Sequence, residues 1–199
     1  MTKDQVSLFL ALLAVIAELA VVIALVLAIG GLFSKRLARA RAAAAAAVGP
    51  QALALAFAVA AASMLGSLYF SEVAHFLPCR LCWYQRICMY PLVPMLGIAA
   101  WRRDMAVRPY AAVLAIIGVP ISSYHVVLEH FPSLESSACD PDNPCSLVWV
   151  RRFGYVTIPV MALSGFLLIL TLLAVARTGP NPHEDTTSTS ATGAEHQPS

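Results

Sequence analysis

Four cysteines in two pairs are the residues of this chain that could carry redox chemistry. Cys79 and Cys82 form a Cys-X-X-Cys motif, and Cys139 and Cys145 flank a short stretch that contains Pro141 and Pro144. A Cys-X-X-Cys motif brings two sulfurs within bonding reach, and the partial positive charge at a helix N-terminus favours a thiolate there. We expect Cys82 to begin such a helix, which predicts electron transfer at the first pair.

Arg86 follows Cys82 by four residues, so the two side chains are expected on one face of the helix. A fixed cation beside the sulfur should stabilise the thiolate and make it a good electron donor to an electrophilic acceptor. The motif alone does not decide the function, because static structural disulfides and half zinc sites share it. Both alternatives stay open at this point.

The second pair closes a ring of only a few residues. A bridge between Cys139 and Cys145 therefore contributes little loop-closure entropy to stability, and we expect it to be exposed and labile. Such a disulfide suits exchange with an incoming thiolate, in which one sulfur is attacked and the other leaves. The alternative is a clip that only shapes the loop, since extracytoplasmic loops commonly carry structural disulfides.

The composition places these cysteines in a membrane protein. Of the 199 residues, 59% are hydrophobic and 12% are charged, and the mean hydropathy of +0.75 is too high for a soluble domain. The net charge of +2 and the scattered Lys and Arg residues exclude a nucleic-acid surface. We therefore predict an all-α integral membrane protein.

Five apolar runs are long enough to cross a bilayer core of about 30 Å. The predicted spans are 6–33, 52–71, 83–101, 110–128 and 153–176. The first run is too long for a signal peptide, and its basic cluster follows it rather than precedes it. The predicted organisation is an N-terminal helix in 1–34, a basic cytoplasmic linker in 35–51, a redox domain in 52–176 and a disordered cytoplasmic tail in 177–199.

The distribution of basic residues predicts the orientation. Eight of the 13 Lys and Arg residues fall on one side of this layout and five on the other, and the richer side is expected in the cytoplasm. All four paired cysteines then face the extracytoplasmic side, where disulfides persist. The inside set is Lys35, Arg36, Arg39, Arg41, Arg102, Arg103, Arg108 and Arg177, and the outside set is Lys3, Arg80, Arg86, Arg151 and Arg152.

Two segments and the loop pair together carry a family resemblance. Residues 79–91 read CRLCWYQRICMYP, and residues 153–159 read FGYVTIP. With Cys139 and Cys145 between them, this pattern resembles the disulfide bond formation protein B (DsbB) family, especially its Gram-positive BdbC-like branch, over roughly 52–176. The resemblance implies a four-helix bundle in the bacterial cytoplasmic membrane. Such a bundle takes electrons from a reduced thioredoxin-like oxidase of the DsbA type and passes them to ubiquinone or menaquinone.

The resemblance also implies roles by position. Cys139 is the sulfur that the partner attacks, and Cys145 leaves and engages the first pair through Cys79. Cys82 then stands as the thiolate that faces the quinone, with Arg86 beside it. His125 matches a family histidine near the quinone, and the alternative is a helix-end histidine satisfied by water or a backbone carbonyl.

The chain departs from this pattern in several places. The N-terminal helix is additional to the four-helix core, and its Glu18 is expected to pack or to snorkel. Gln85 stands where some relatives have an acid. Cys88 is expected to be a buried packing residue rather than a redox group.

Two other function classes are alternatives to the oxidase. A metal carrier using four thiolates is disfavoured, because Arg80 and Arg86 beside the thiols repel a cation; no metal is predicted. A non-enzymatic assembly protein with fixed disulfides is the other class. A vitamin K epoxide reductase-like enzyme is a mechanistic relative, but that family places its loop cysteines before its Cys-X-X-Cys motif.

Overall fold

The computed structural model describes residues 3–135, 139–140 and 142–176, so the predicted tail lies outside the described residues. The described part of the chain is built mainly of α-helices, with one small hairpin and two longer connections, one before α4 and one after α6. The helices are α1 (Lys3–Phe33), α2 (Lys35–Val48), α3 (Ala52–Leu68), α4 (Arg80–Met89), α5 (Leu92–Arg102), α6 (Arg108–His130) and α7 (Ile158–Val175). The strands are β1 (Arg151–Arg152) and β2 (Val156–Thr157).

Four helical stretches in the described residues are long and apolar enough to cross a membrane. They are Lys3–Phe33, Lys35–Val73, Met105–His130 and Ile158–Val175. The protein is therefore an all-α, multi-pass membrane protein, as the composition predicts.

The predicted third span is divided in two. Helix α4 has 10 residues and α5 has 11, and each is shorter than the roughly 20 residues that a single span needs. The break falls at Tyr90 and Pro91, since proline has no backbone N–H to continue the helical hydrogen bonds. Together the two helices cover the predicted span.

The predicted basic linker is helical. Helix α2 and a 3₁₀ turn at Gly49–Gln51 lead directly into α3, which fits the high helix propensity of the alanine run. Extended backbone at Ser34 separates α1 from α2. A Cβ at Gly31 would lie 3.3 Å from the Ala38 Cα atom, so glycine allows α2 to approach α1 closely.

The predicted fifth span begins later than expected, because residues before Ile158 form a hairpin instead of a helix. Strands β1 and β2 pair antiparallel, with Arg151 opposite Thr157 and Arg152 opposite Val156. Phe153 and Gly154 have φ values of 52° and 80°, the left-handed conformation that tight hairpin turns require. The hairpin lies directly before the start of α7. Helix α7 ends at Val175, close to the predicted end of the span at 176.

The main core lies among α3, α5, α6 and α7 and includes Cys88 and Met89 at the end of α4. Phe166 on α7 is fully buried, and a Cβ at Gly118 on α6 would lie only 2.4 Å from its ring. The missing side chain at Gly118 therefore lets α6 and α7 pack tightly. Cys88 is 5% exposed and belongs to this core, as expected for a packing residue.

Candidate functional site

The Cys-X-X-Cys pair lies in the first turn of α4. The helix begins at Arg80 with Cys79 as its N-cap, and the Cys79 Sγ atom accepts a hydrogen bond from the Cys82 backbone N–H at 3.4 Å. The prediction that Cys82 begins the helix is therefore wrong, because the helix starts two residues before it. Both thiols are free, and their sulfurs lie 3.1 Å apart.

This geometry determines where the dithiol holds negative charge. The side-chain hydrogen bond with Cys82 lowers the pKa of Cys79 from 9.0 to about 4; burial opposes this shift, and contacts with His125 favour it. The sequence placed the helix-stabilised thiolate at Cys82. In the dithiol, the side-chain hydrogen bond from Cys82 gives that charge to Cys79, and the N-cap contact with the Cys82 backbone N–H adds to it.

His125 connects the two cysteine pairs. It lies on α6 and is 2% exposed. Its Nε2 atom is 3.0 Å from the Cys145 carbonyl oxygen and 3.7 Å from the Cys79 sulfur, and its Nδ1 atom is 3.1 Å from the Gln85 amide nitrogen. These partners fit a tautomer in which Nε2–H donates to the Cys145 carbonyl and Nδ1 accepts from Gln85.

The loop pair forms a disulfide, and it is buried. Cys139 is 7% exposed and Cys145 is 1% exposed, so the expectation of an exposed bridge is wrong. The Asn143 side-chain amide donates to the Pro78 carbonyl oxygen at 3.2 Å, which ties the loop down over the start of α4. All four paired cysteines share one buried or half-buried cluster with Leu81 and Leu128.

Glu135 is a site residue that no sequence motif indicated. Its carboxylate accepts hydrogen bonds from the Cys145 backbone N–H at 2.6 Å and from the Ser146 hydroxyl at 2.8 Å. A carboxylate oxygen lies within 4.8 Å of both loop sulfurs. Glu135 therefore fixes the backbone of Cys145 beside the disulfide.

A large cavity opens beside the dithiol, between α1, α3, α4 and α7. Its volume is about 670 Å³, and Cys82, Gln85 and Arg86 form part of its lining. Most of the remaining lining is aliphatic, as in sites for apolar ligands of roughly 300–1,000 Å³. His125 does not line this cavity; it lies between Cys79 and the loop.

Arg86 is held at the wall of this cavity. Its Nη2 atom donates to the Ser67 carbonyl oxygen at 3.0 Å, and its guanidinium lies 5.2 Å from the centroid of the Trp83 ring. The Tyr90 hydroxyl donates to the Ser67 hydroxyl at 3.3 Å. A fixed cation and two hydroxyls thus lie on the same wall as the Cys82 sulfur.

One group of side chains could also hold a metal ion. The ligand atoms of Cys79, Cys82 and His125 lie within 4.8 Å of one another. The histidine nitrogen nearest the sulfurs already donates to the Cys145 carbonyl in the tautomer described above. A metal would therefore require this hydrogen bond to break.

The chain is similar to proteins that are named disulfide bond formation proteins. The family model described as "Disulfide bond formation protein DsbB" matches residues 49–143. Disulfide bond formation protein C of Bacillus subtilis (strain 168) is 46% identical over 116 residues, which cover 58% of this chain and 84% of that protein. No solved structure matches the chain.

Two further relatives are also named as probable disulfide formation proteins. A probable disulfide formation protein of Oceanobacillus iheyensis is 40% identical over 112 residues, covering 55% of this chain and 77% of the relative. Probable disulfide formation protein C 1 of Bacillus anthracis is 46% identical over 106 residues, covering 53% and 76%. Helix α1 lies outside the region matched by the family model.

Proposed function

Since the chain belongs to the DsbB family of disulfide bond formation proteins, we propose that it is a membrane thiol oxidase that reoxidises a DsbA-type partner and passes the electrons to a membrane quinone. Its role in disulfide formation makes it an oxidoreductase that works with a thiol–disulfide partner at the membrane. The observation that carries the proposal is the position of Cys82, which packs against the two-pair cluster and also lines the apolar cavity.

The first half of the proposed cycle exchanges disulfides. A partner thiolate attacks the Cys139 sulfur, the Cys139–Cys145 bond breaks, and Cys145 leaves as a thiolate. Starting from an oxidised first pair, Cys145 attacks Cys79, and Cys82 is released as a thiolate. The partner's second thiol then displaces Cys139, and the partner leaves oxidised.

The second half returns the loop to its disulfide. Cys139 attacks the Cys145 sulfur of the Cys79–Cys145 bond, and Cys79 leaves. Once Cys82 has taken up a proton, its hydrogen bond lowers the pKa of Cys79 and favours this step, because a thiol of lower pKa leaves faster. The product has a loop disulfide and two free thiols at Cys79 and Cys82, the same pairing that the structure has.

The apolar lining and the volume of the cavity support a quinone as the acceptor. When bound, a quinone would take up the two electrons and two protons that the Cys79 and Cys82 thiols give up as they form a disulfide. Arg86 and Gln85 can donate hydrogen bonds toward a ring carbonyl oxygen, and charge-assisted donors are strong in water-poor sites. Ubiquinone and menaquinone both meet these requirements.

We propose that the protein lies in the bacterial cytoplasmic membrane with its four paired cysteines on the extracytoplasmic side. The eight-to-five distribution of Lys and Arg supports this orientation. Oxidised partners are also needed in the compartment where disulfides persist.

The test is quinone reduction by the purified protein with a thioredoxin-like dithiol donor. Serine substitution at Cys79, Cys82, Cys139 or Cys145 should abolish steady-state turnover, whereas Cys88→Ser should leave it nearly unchanged. Full turnover in either loop variant would make the loop disulfide a clip. Absence of quinone reduction by the unmodified protein would favour an assembly protein with fixed disulfides.

Arg86 tests the acceptor side separately. Arg86→Ala should weaken the apparent quinone affinity while leaving formation of the Cys139 mixed disulfide nearly unchanged. Arg86→Lys should recover only part, because a point charge lacks the planar fork of the guanidinium. Equal loss in both reactions, or in neither, would make Arg86 a structural anchor.

A further inference from the structure

Helix α1 forms one side of the cavity, although it lies outside the region matched by the family model. Three of its six residues on this side are alanines, which leave space between α1 and α3. The lining residues from α1 are Leu10, Leu13, Ala14, Ile16, Ala17 and Ala20. On its other face, α1 exposes large apolar side chains, including Leu19 and Leu25, as a helix in contact with lipid does.

Polar contacts hold the outer end of α1 in place. The Arg152 guanidinium forms an ion pair with Asp4 and donates to the Ser7 hydroxyl, with the Nη2–Oγ distance at 2.8 Å. The Lys3 ammonium donates to the Ala74 carbonyl oxygen at 3.0 Å. These contacts join α1 to the hairpin and to the segment that precedes the Cys-X-X-Cys motif.

Glu18 holds the middle of α1. Its carboxylate accepts hydrogen bonds from the Tyr155 hydroxyl at 2.8 Å and from the Ser164 hydroxyl at 2.9 Å. A carboxylate within a membrane span is costly unless it has such partners. This pairing places Glu18 against the hairpin and α7, and the neighbouring Ala17 lines the cavity.

We propose that α1 is a wall of the acceptor site and contacts the isoprenoid tail of the quinone. The inference rests on the proposed quinone function. The same cavity reaches from Cys82 and Arg86 to the apolar side chains of α1, so a ring held at Cys82 has its tail directed into the remaining apolar space. A prenyl chain is the occupant that matches a polar end and aliphatic walls within one cavity.

Two alanines on α1 provide a matched pair for the test. Ala20 and Ala24 are one helical turn apart and both half-buried, but only Ala20 lines the cavity. Ala20→Phe should lower the quinone retained by the purified protein about tenfold, since it fills the space that the tail needs. Ala24→Phe adds the same side chain and should retain quinone at the level of the unmodified protein.

The retained quinone is measured by solvent extraction and mass spectrometry of protein in native-lipid nanodiscs. A second measurement uses ubiquinone and menaquinone analogues with a diazirine on the first isoprene unit. In the unmodified protein, the label should map to residues 10–20 of α1 and should be displaced by unlabelled quinone. This measurement does not depend on whether Ala20→Phe folds.

The outcomes separate the two proposals. Displaceable labelling confined to α3, α4 or α7, or equal quinone retention in the two folded variants, would overturn the role of α1 and leave the quinone function standing. A phospholipid at α1 beside a bound quinone would also overturn it. Absence of both retained quinone and displaceable labelling anywhere would overturn the quinone function itself.

Discussion

At the scale of single residues, the lowered pKa of the Cys79 thiol predicts that the stability of the reduced protein depends on pH. Its pKa is lowered to about 4 by the Cys82 hydrogen bond, with a contribution from His125. A group whose folded pKa is depressed adds stability that is complete above its unfolded pKa and lost as the pH falls through its folded pKa. The dithiol form should therefore lose stability progressively from about pH 9 to about pH 4.

Ultraviolet absorbance of the thiolate measures this directly. The reduced protein should keep one thiolate from neutral pH down to the region of pH 4, and His125→Ala should move the midpoint upward. Cys79→Ser should remove the signal and serves as the control. A thiolate that titrates near pH 9 would show that the Cys82 and His125 contacts do not stabilise the charge.

Glu135 gives a second prediction at the scale of residues. Glu135→Gln can still accept from the Cys145 backbone N–H and can donate its NH₂ group to the Ser146 hydroxyl, but it removes the charge that strengthens both contacts. Hydrogen bonds to charged groups contribute about 1.5–3 kcal/mol, against about 0.5–1.5 kcal/mol for neutral ones. The loop disulfide should therefore be reduced several-fold faster by dithiothreitol, as measured by trapping of free thiols.

Glu72→Gln is the matched control for Glu135. Glu72 is an exposed acid bound to the adjacent Ser71 hydroxyl, and its substitution should leave the reduction rate unchanged. If both variants were reduced equally faster, the cause would be the loss of a negative charge in general, and not a change in the hydrogen bonds between Glu135 and the loop.

The sequence identifies the two cysteine pairs better than it identifies their surroundings. Spacing within the chain identifies each pair, since Cys79 and Cys82 are local neighbours. It does not bring Gln85, His125 and Cys145 together, because these contacts join residues that are 20 and 40 positions apart. Burial of the loop disulfide depends on the same distant contacts and was therefore missed.

At the scale of elements, the contact of α6 with α7 depends on Gly118. A Cβ there would lie 2.4 Å from the Phe166 ring, and Phe166 has no exposed surface. Gly118→Ala should lower the free energy of unfolding by about 1–3 kcal/mol, because a fully buried ring has little room to move. The measurement is thermal unfolding in detergent.

Gly97→Ala is the control for Gly118→Ala. Its Cβ would lie 3.1 Å from the Phe57 ring, which is 37% exposed and can shift. Alanine also has a higher helix propensity than glycine. Gly97→Ala should therefore be neutral or stabilising; similar destabilisation by both variants would contradict the packing argument.

Hydropathy predicted the helices well where one apolar run forms one element. Helices α1, α3 and α6 lie close to their predicted ranges. Hydropathy does not detect the break at Pro91, because the missing backbone N–H of proline has no effect on hydropathy. It also included the hairpin before Ile158 in a span, although the β-branched residues Val156 and Thr157 favour a strand.

At the scale of the whole molecule, the proposed orientation can be tested with single cysteines in a cysteine-free background. Ser133 lies after α6, in the loop proposed to be extracytoplasmic, and Asp104 lies between α5 and α6; both positions are exposed. A membrane-impermeant maleimide should label Ser133→Cys in intact cells and Asp104→Cys only after lysis. The reverse pattern would overturn the orientation and the oxidase function with it.

Burial of the loop disulfide limits its reaction with small thiols in solution. A thiol in solution cannot reach Cys139 or Cys145 while their residues are 7% and 1% exposed. Attack then proceeds only from the fraction of molecules in which the loop has opened, so the observed rate is the intrinsic rate multiplied by that fraction. A small reductant does not bind the opened loop, so it reacts only with the rare molecules in which the loop is open. A partner whose surface binds the opened loop raises the population of that open state. In the proposed oxidase, burial of the loop disulfide would keep the loss of oxidising equivalents to free thiols low.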